Sequence, residues 1–153
     1  MYSRILCPID GSPTSERGLA EAIRLARDQK ARLRLLYVID AHLVALDPYG
    51  TINVGDLIDA SRAFGNELLE KAGAAARAEG IEVEAATIDT LAGPVGDLIA
   101  RDARDWDAKL IVMGTHGRRG VRRVVMGSDA ELVVRMSPVP VLLVRAPEEP
   151  AAR

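Results

Sequence analysis

The chain has 153 residues, enough for one domain with a sizeable core and short for two, and 48% of them are hydrophobic. Charged residues make up 27% and nearly cancel to a formal net charge of -2, which argues against broad attraction to nucleic acid or anionic lipid and makes any polyanion site a local one. One cysteine, Cys7, excludes an internal disulfide, and two histidines, His42 and His116, allow no familiar zinc spacing.

The first apolar run, Ile5 to Ile9, gives way to Asp10 before a signal-peptide core forms, and nowhere do about 18 uninterrupted apolar residues occur. A soluble, cytoplasmic protein is expected. Leu19, Ala22, Ile23 and Ala26 then mark one face of a helix that Ser12 caps and Pro13 opens. After a second apolar run, Leu33 to Ile39, comes an irregular stretch, Ala41 to Val54, holding the turn signal Asp47-Pro48-Tyr49-Gly50. The helix that follows carries an apolar stripe through Leu57, Ser61, Phe64, Leu68, Ala72 and Ala75, and Gly80 falls where a left-handed cap would end it.

The third run is Ile81 to Ile88. A helix starting near Pro94 then buries Val95, Leu98, Ile99 and Ala103. The fourth run is Leu110 to Met113, a short helix covers Ser128 to Met136, and the fifth run is Val139 to Val144. The domain is expected over residues 1–146, with 147–153 a flexible tail rich in proline, alanine and charge.

Short apolar runs alternating with helical segments are the pattern of a parallel sheet. Central strands of such a sheet are covered on both faces and read as continuous apolar runs, as the first and fourth do. Ile81-Glu82-Val83-Glu84 alternates, so one face meets water, and Pro138 and Pro140 keep the fifth run out of a central ladder. With runs three and five at the edges and right-handed crossovers, the simplest order is 3-2-1-4-5. The sheet then reverses direction between strands one and four, and ligands of open sheets bind outside the C-terminal strand ends at that point. Pro8-Ile9-Asp10-Gly11 and Met113-Gly114-Thr115-His116-Gly117 lie there.

The second of these segments is followed by nine residues and then Gly127-Ser128 at the head of the last helix. Gly114 and Gly117 permit positive φ and close approach of backbone N–H groups to an anion. Gly127 and Ser128 add a helix N-terminus, where unpaired amides favour phosphate oxygens. Arg118, Arg119, Arg122 and Arg123 inside the interval can supply charge or form a solvated face. Neither a G-x-x-x-x-G-K-[ST] loop nor a G-x-G-x-x-G after the first strand is present.

The spacing G-x-x-G, nine residues, G-S resembles the nucleotide-binding signature of the universal stress protein family. Pro8-Ile9-Asp10-Gly11-Ser12, Leu110-Ile111-Val112-Met113-Gly114 and Ser137-Pro138-Val139-Pro140-Val141 resemble its other landmarks, so the likeness runs from Met1 to about Arg145. It implies an open five-stranded α/β domain with helices on both faces, adenine nucleotide alpha hydrolase-like, usually a homodimer, holding ATP for regulatory ends. By motif position, Asp10 approaches the ribose or a phosphate-bound Mg²⁺, and Val38 meets the adenine. Pro8 and Ile9 lead into that loop, while Met113, Gly114, Gly117, Arg118, Gly127 and Ser128 line the sugar and phosphates. Asp129 departs from the small or apolar residue common after Gly-Ser in ATP-binding members.

Other chemistries are open at this level: slow ATP hydrolysis or phosphoryl transfer, or a nucleotide-free dimeric scaffold. His116 is the one candidate base in the motif, and Ser128, His116 and Asp10 lack the G-x-S-x-G elbow of a serine hydrolase. Base-stacking aromatics are scarce at 3% of the chain, which speaks against RNA. Cys7 in an apolar strand reads as packing. The apolar edge Val139 to Val144 predicts pairing with a second copy.

Overall fold

The computed structural model describes residues 1–41, 49–51, 53–90, 93–116 and 126–145. Within these the elements are β1 (Arg4–Pro8), α1 (Pro13–Gln29), β2 (Arg32–Asp40), α2 (Val54–Ala78), β3 (Val83–Thr90), α3 (Val95–Asp105), β4 (Leu110–Gly114), α4 (Ser128–Met136) and β5 (Val141–Val144). The sheet order is β3-β2-β1-β4-β5 with every pair parallel, as the strand patterns predict. Ile5 is paired to Leu33 on one side and to Leu110 on the other, which fixes β1 at the centre.

Alternation of side chains divides the core in two. Ile5, Cys7, Leu33, Leu35, Tyr37 and Val112 pack under α1 and α2, while Leu6, Leu36, Ile111 and Met113 pack against α3 and α4. Burial pushes the Cys7 thiol up to about 12, so it stays protonated and inert at neutral pH.

Helix ends follow local chemistry. Ser12 Oγ accepts from Ser15 N–H at 3.2 Å with Pro13 in the first turn, as expected. Gly80, at φ +76, closes α2 with N–H bonds from Gly80 to Arg77 O and from Ile81 to Ala76 O. The same closure ends α1 at Lys30 (φ 53) and α3 at Asp107 (φ 56), where the sequence offers no glycine. In each case the next residue, Ala31, Ile81 or Ala108, is buried and starts the approach to the following strand. This is why β3 begins at Val83 and not at Ile81, which belongs to the helix closure. β5 likewise begins at Val141, two residues after the expected start, Pro140 contributing its carbonyl to Ile111 N–H at 3.0 Å.

The expected stripe on α2 is displaced. Ala72 is buried, but Phe64 is 46% exposed and Ala75 also faces solvent, while Gly65, Leu69, Gly73 and Ala76 turn inward. A Cβ at Gly65 would lie 2.2 Å from Tyr37 Cδ1, so the helix sits on the aromatic ring through a glycine. Small residues, invisible to a search for large apolar side chains, define the buried face.

At the N-terminal ends of the strands, charges are paired. Arg34 meets Asp102 through two bonds of 2.9 Å, and this contact, above all, raises the Arg34 pKa. Trp106 donates Nε1–H to Glu84 at 3.1 Å, and the Arg4 and Arg34 guanidinium groups lie 5.7 and 5.8 Å from its ring centroid. No helix of the described residues is long and apolar enough to cross a membrane. The expected tail, 147–153, lies outside the described residues.

Candidate functional site

The site is assembled where the β1–α1 turn meets the end of β4. Past β1, Ile9 N–H still bonds Leu36 O at 2.9 Å, and the chain then turns sharply at Gly11, φ +82. Asp10 is clamped from both sides: its N–H donates to Ser15 Oγ at 3.0 Å, and its Oδ1 accepts from Ser12 N–H at 2.8 Å. Ser12 and Thr14 hydroxyls are 3.3 Å apart, and Thr14 Oγ1 donates to the carbonyl of His116. Opposite, Thr115 N–H bonds Val144 O at 3.0 Å and Gly127 N–H bonds Thr115 O at 2.8 Å, tying β4, β5 and the head of α4 together.

Gly114 is the pivot of this meeting. A Cβ there would lie 2.7 Å from the Thr14 carbonyl carbon and oxygen, and one at Gly18 would lie 3.0 Å from Gly114 N. The expectation of a positive φ at Gly114 is corrected: among the described residues, glycines of that kind are Gly11, Gly50, Gly80 and Gly93. Gly127, at φ -59, is not one of them either. Backbone packing of β4 on α1 requires the glycine at 114.

These elements border a cleft of about 940 Å³ at the C-terminal edge of the sheet, within the size range of small-molecule sites. Pro8, Ile9, Asp10, Val38, Met113, Gly114, Gly127, Ser128 and Asp129 all line it. Gly117 and Arg118 lie outside the described residues, as do Arg119, Arg122 and Arg123.

Residues that sequence reasoning left out complete the walls. Gly93, Pro94 and Val95 bring the N-terminus of α3 to the rim, with Met126 and Ile99 beside it. A signal was available, since every strand-to-helix loop of a parallel sheet opens on the same edge. Tyr37, Ile58, Ser61 and Phe64 form a second wall on the α2 side, with Tyr37 Oη 3.2 Å from Ser61 Oγ. That wall follows from the displaced stripe.

The head of α4 has no side-chain cap; its N-cap residue is Gly127, and Glu131 N–H is the donor to Gly127 O at 2.9 Å. The α3 head, with Pro94 as its N-cap residue, is likewise without a side-chain cap. Two helix N-termini thus border one cleft, a setting that favours anions. The described lining also holds three carboxylates, Asp10, Asp40 and Asp129, with no lysine or arginine. Asp129 is exposed in the first turn of α4. No group of three or more His, Cys, Asp or Glu side chains arranged to hold a metal occurs among the described residues.

Sheet order and cleft define an α/β domain of the adenine nucleotide alpha hydrolase-like fold, with its candidate site at the topological switch point. The chain belongs to the universal stress protein family, whose sequence pattern matches residues 1–145. Universal stress protein MJ0531 of Methanocaldococcus jannaschii is 31% identical over 150 residues, covering 97% of this chain and 85% of that protein. The solved structure of hypothetical protein MJ0577 superposes with a TM-score of 0.85 at 25% identity, covering 97% of this chain and 99% of the other. The universal stress protein from Archaeoglobus fulgidus, solved in complex with dAMP, superposes with a TM-score of 0.65 at 26% identity, over 94% and 98%.

Because backbone atoms, and not a flexible side chain, face Gly114, Gly114→Ala should destabilise the fold by about 1–3 kcal/mol. Urea unfolding measures this. A change within about 0.5 kcal/mol would mean that β4 and α1 can separate freely.

Proposed function

We propose that this chain binds ATP or a closely related adenine nucleotide in the switch-point cleft and acts as a regulatory, nucleotide-dependent stress-response module. The observation that carries the reading is the α4 N-terminus, without a side-chain cap, bordering the same cleft as an apolar wall of Val38, Val95, Met113 and Met126. One side suits phosphate and the other a purine ring. Family membership and the dAMP complex of the Archaeoglobus relative support the choice of ligand.

In this reading Val38 meets the adenine, Pro8 and Ile9 lead into the loop, and Met113, Gly114, Gly127 and Ser128 line the sugar and phosphates. Gly117 and Arg118 extend that lining. A polyphosphate beside three carboxylates needs a counter-charge, which Mg²⁺ or Arg118 supplies. Asp10, its Oδ1 fixed by Ser12 N–H, is the carboxylate placed to meet such an ion or the ribose. One carboxylate together with phosphate oxygens and water is the usual Mg²⁺ environment, so the residues fit the ion. The competing scaffold reading draws on Gly114, whose packing role preserves a glycine there with or without a ligand.

A homodimer through β5 accompanies the reading. Leu142 on that edge is 37% exposed, and Val134 and Met136 of α4 are 47% and 44% exposed. Pairing two such edges would cover them.

Three outcomes are expected. An acid extract of freshly isolated protein contains an adenine nucleotide, or titration with ATP shows saturable binding that Gly117→Val abolishes while the fold persists; no binding under either condition would leave the scaffold. Sedimentation at tens of micromolar shows a dimer, and monomer alone removes the β5 interface. Asp129→Val tightens ATP binding several-fold without Mg²⁺ and changes it little with Mg²⁺. The basis is that two charges about 5 Å apart interact by roughly 3 kcal/mol at an effective dielectric near 20 and by under about 1 kcal/mol through water. Loss of affinity in both conditions would make Asp129 a ligand contact.

A further inference from the structure

The strand residues that line the cleft come from β1, β2 and β4; among the described residues β3 and β5 contribute none. The head of α4, where phosphate oxygens find backbone N–H groups, is bonded to Thr115 just past β4. β2 lies two strands away across β1, about 9.5 Å at the ordinary spacing of neighbouring strands. A nucleotide has the same order, with its sugar between phosphates and base. Laid from the α4 head across Asp10 of the β1–α1 turn, it brings its base to β2, the last strand of the cleft on that side.

Side chains alternate along β2. Tyr37 and Ile39 belong to the cluster under α1 and α2, and Val38 packs against the cluster under α3 and α4. Asp40 therefore falls on the Val38 face, about 6.6 Å further along the strand. It is still in the ladder, paired with Thr90 of β3, is half-buried, and lines the cleft. A purine ring resting on Val38 with its sugar toward β1 turns its far edge to Asp40.

An ionised carboxylate accepts hydrogen bonds and donates none. Adenine carries an exocyclic amine, a donor, at the position where guanine and hypoxanthine carry a carbonyl oxygen, which a carboxylate repels. We infer that Asp40 accepts a hydrogen bond from the exocyclic amine of the bound nucleotide and so selects an adenine ring. The inference rests on the nucleotide-binding reading above and deepens it. Val38, Val95, Met113 and Met126 give any purine an apolar surface and cannot tell one base from another; Asp40 supplies that choice.

The three carboxylates of the cleft then meet different parts of the ligand. Asp129 stands in the first turn of α4, beside the phosphates, and Asp10, with Oδ1 fixed by Ser12 N–H, stands under the sugar. Asp40 is two strands from the α4 head, about one Debye length at physiological salt, so its repulsion of the phosphates is largely screened. Its two oxygens have about four lone-pair sites, so the amine need not displace a bond that the side chain makes within the protein.

Titration calorimetry at fixed Mg²⁺ tests this in wild type, Asp40→Ala and Asp40→Asn. The ligands are ATP, 2′-deoxy-ATP, GTP and purine riboside 5′-triphosphate, which is ATP without the amine. Each preference is a ratio of two dissociation constants in one protein, so a variant that is partly unfolded does not distort it. Wild type is expected to hold ATP about five- to thirtyfold more tightly than the amine-free analogue, and GTP more weakly than ATP. Asp40→Ala should bring ATP and the analogue to within about twofold of each other, and Asp40→Asn, whose amide oxygen still accepts, should keep part of the preference. The ratio of ATP to 2′-deoxy-ATP should be the same in all three proteins. An ATP-to-analogue ratio unchanged in Asp40→Ala overturns the inference and leaves the nucleotide site standing. A change confined to the 2′-deoxy ratio would make Asp40 a ribose contact, and a wild-type preference for GTP that Asp40→Ala abolishes would have the carboxylate reading guanine; either result overturns it. If wild type binds none of the four, the nucleotide reading itself falls and the inference with it.

Discussion

The close approach of β4 to the head of α1 is the constraint on which the rest of the structure depends. Two backbones meet where side chains would ordinarily intervene: Gly114 lies against the Thr14 carbonyl, and Gly18 against Gly114 N. The approach brings His116 O within reach of the Thr14 hydroxyl, and the continuing chain bonds β5 through Thr115 N–H and the head of α4 through Thr115 O. One steric fact therefore sets the relation among the β1–α1 turn, β4, β5 and α4. A ligand spanning Asp10 and Ser128 would bridge parts already fixed against one another.

Much of this was legible in the sequence, for identifiable reasons. The continuous apolar run of β4 announced a strand covered on both faces, and the prolines before β5 announced an edge; together they gave the sheet order and hence the switch point. The start of α1 was legible because Ser12 and Pro13 each carry a local physical signal. What failed was anything depending on small residues. Gly65 and Gly73 bury as deeply as leucines because neighbours approach them, and hydrophobicity cannot register a face made by proximity. Gly114 was singled out both for positive φ and for close backbone approach to an anion; it lies outside the positive-φ set, and the group that approaches it closely is the Thr14 carbonyl of α1, which a sequence does not reveal. That His116 Nε2 is buried and without a partner among the described residues was likewise out of reach of the sequence.

The two ends of the sheet are built on opposite electrostatic plans. At the N-terminal ends, Arg32 and Arg34 pair with Glu82, Glu84 and Asp102, while Arg4 pairs with Asp107 and lies, like Arg34, over the Trp106 ring. Bidentate geometry and the low exposure of Asp102 mean that breaking the Arg34 pair would leave a charge poorly solvated, so this end resists change. At the C-terminal ends the described cleft lining carries carboxylates without lysine or arginine, and two helix N-termini without side-chain caps.

That asymmetry bears on how a ligand would act. A nucleotide phosphate that met the heads of α3 and α4 would bond backbone N–H groups that have no side-chain cap among the described residues, so part of the folding free energy would arrive with the ligand. At a free concentration a hundredfold above Kd, binding to the folded state alone adds about 2.7 kcal/mol to its stability. This gain would be concentrated at the heads of α3 and α4, which border the cleft without side-chain caps. The N-terminal network, already paired, would gain little. Nucleotide level would therefore be read out as a difference in order between the two ends of one sheet. The β5 edge, bonded to Thr115 and exposed through Leu142, stands next to the end that changes.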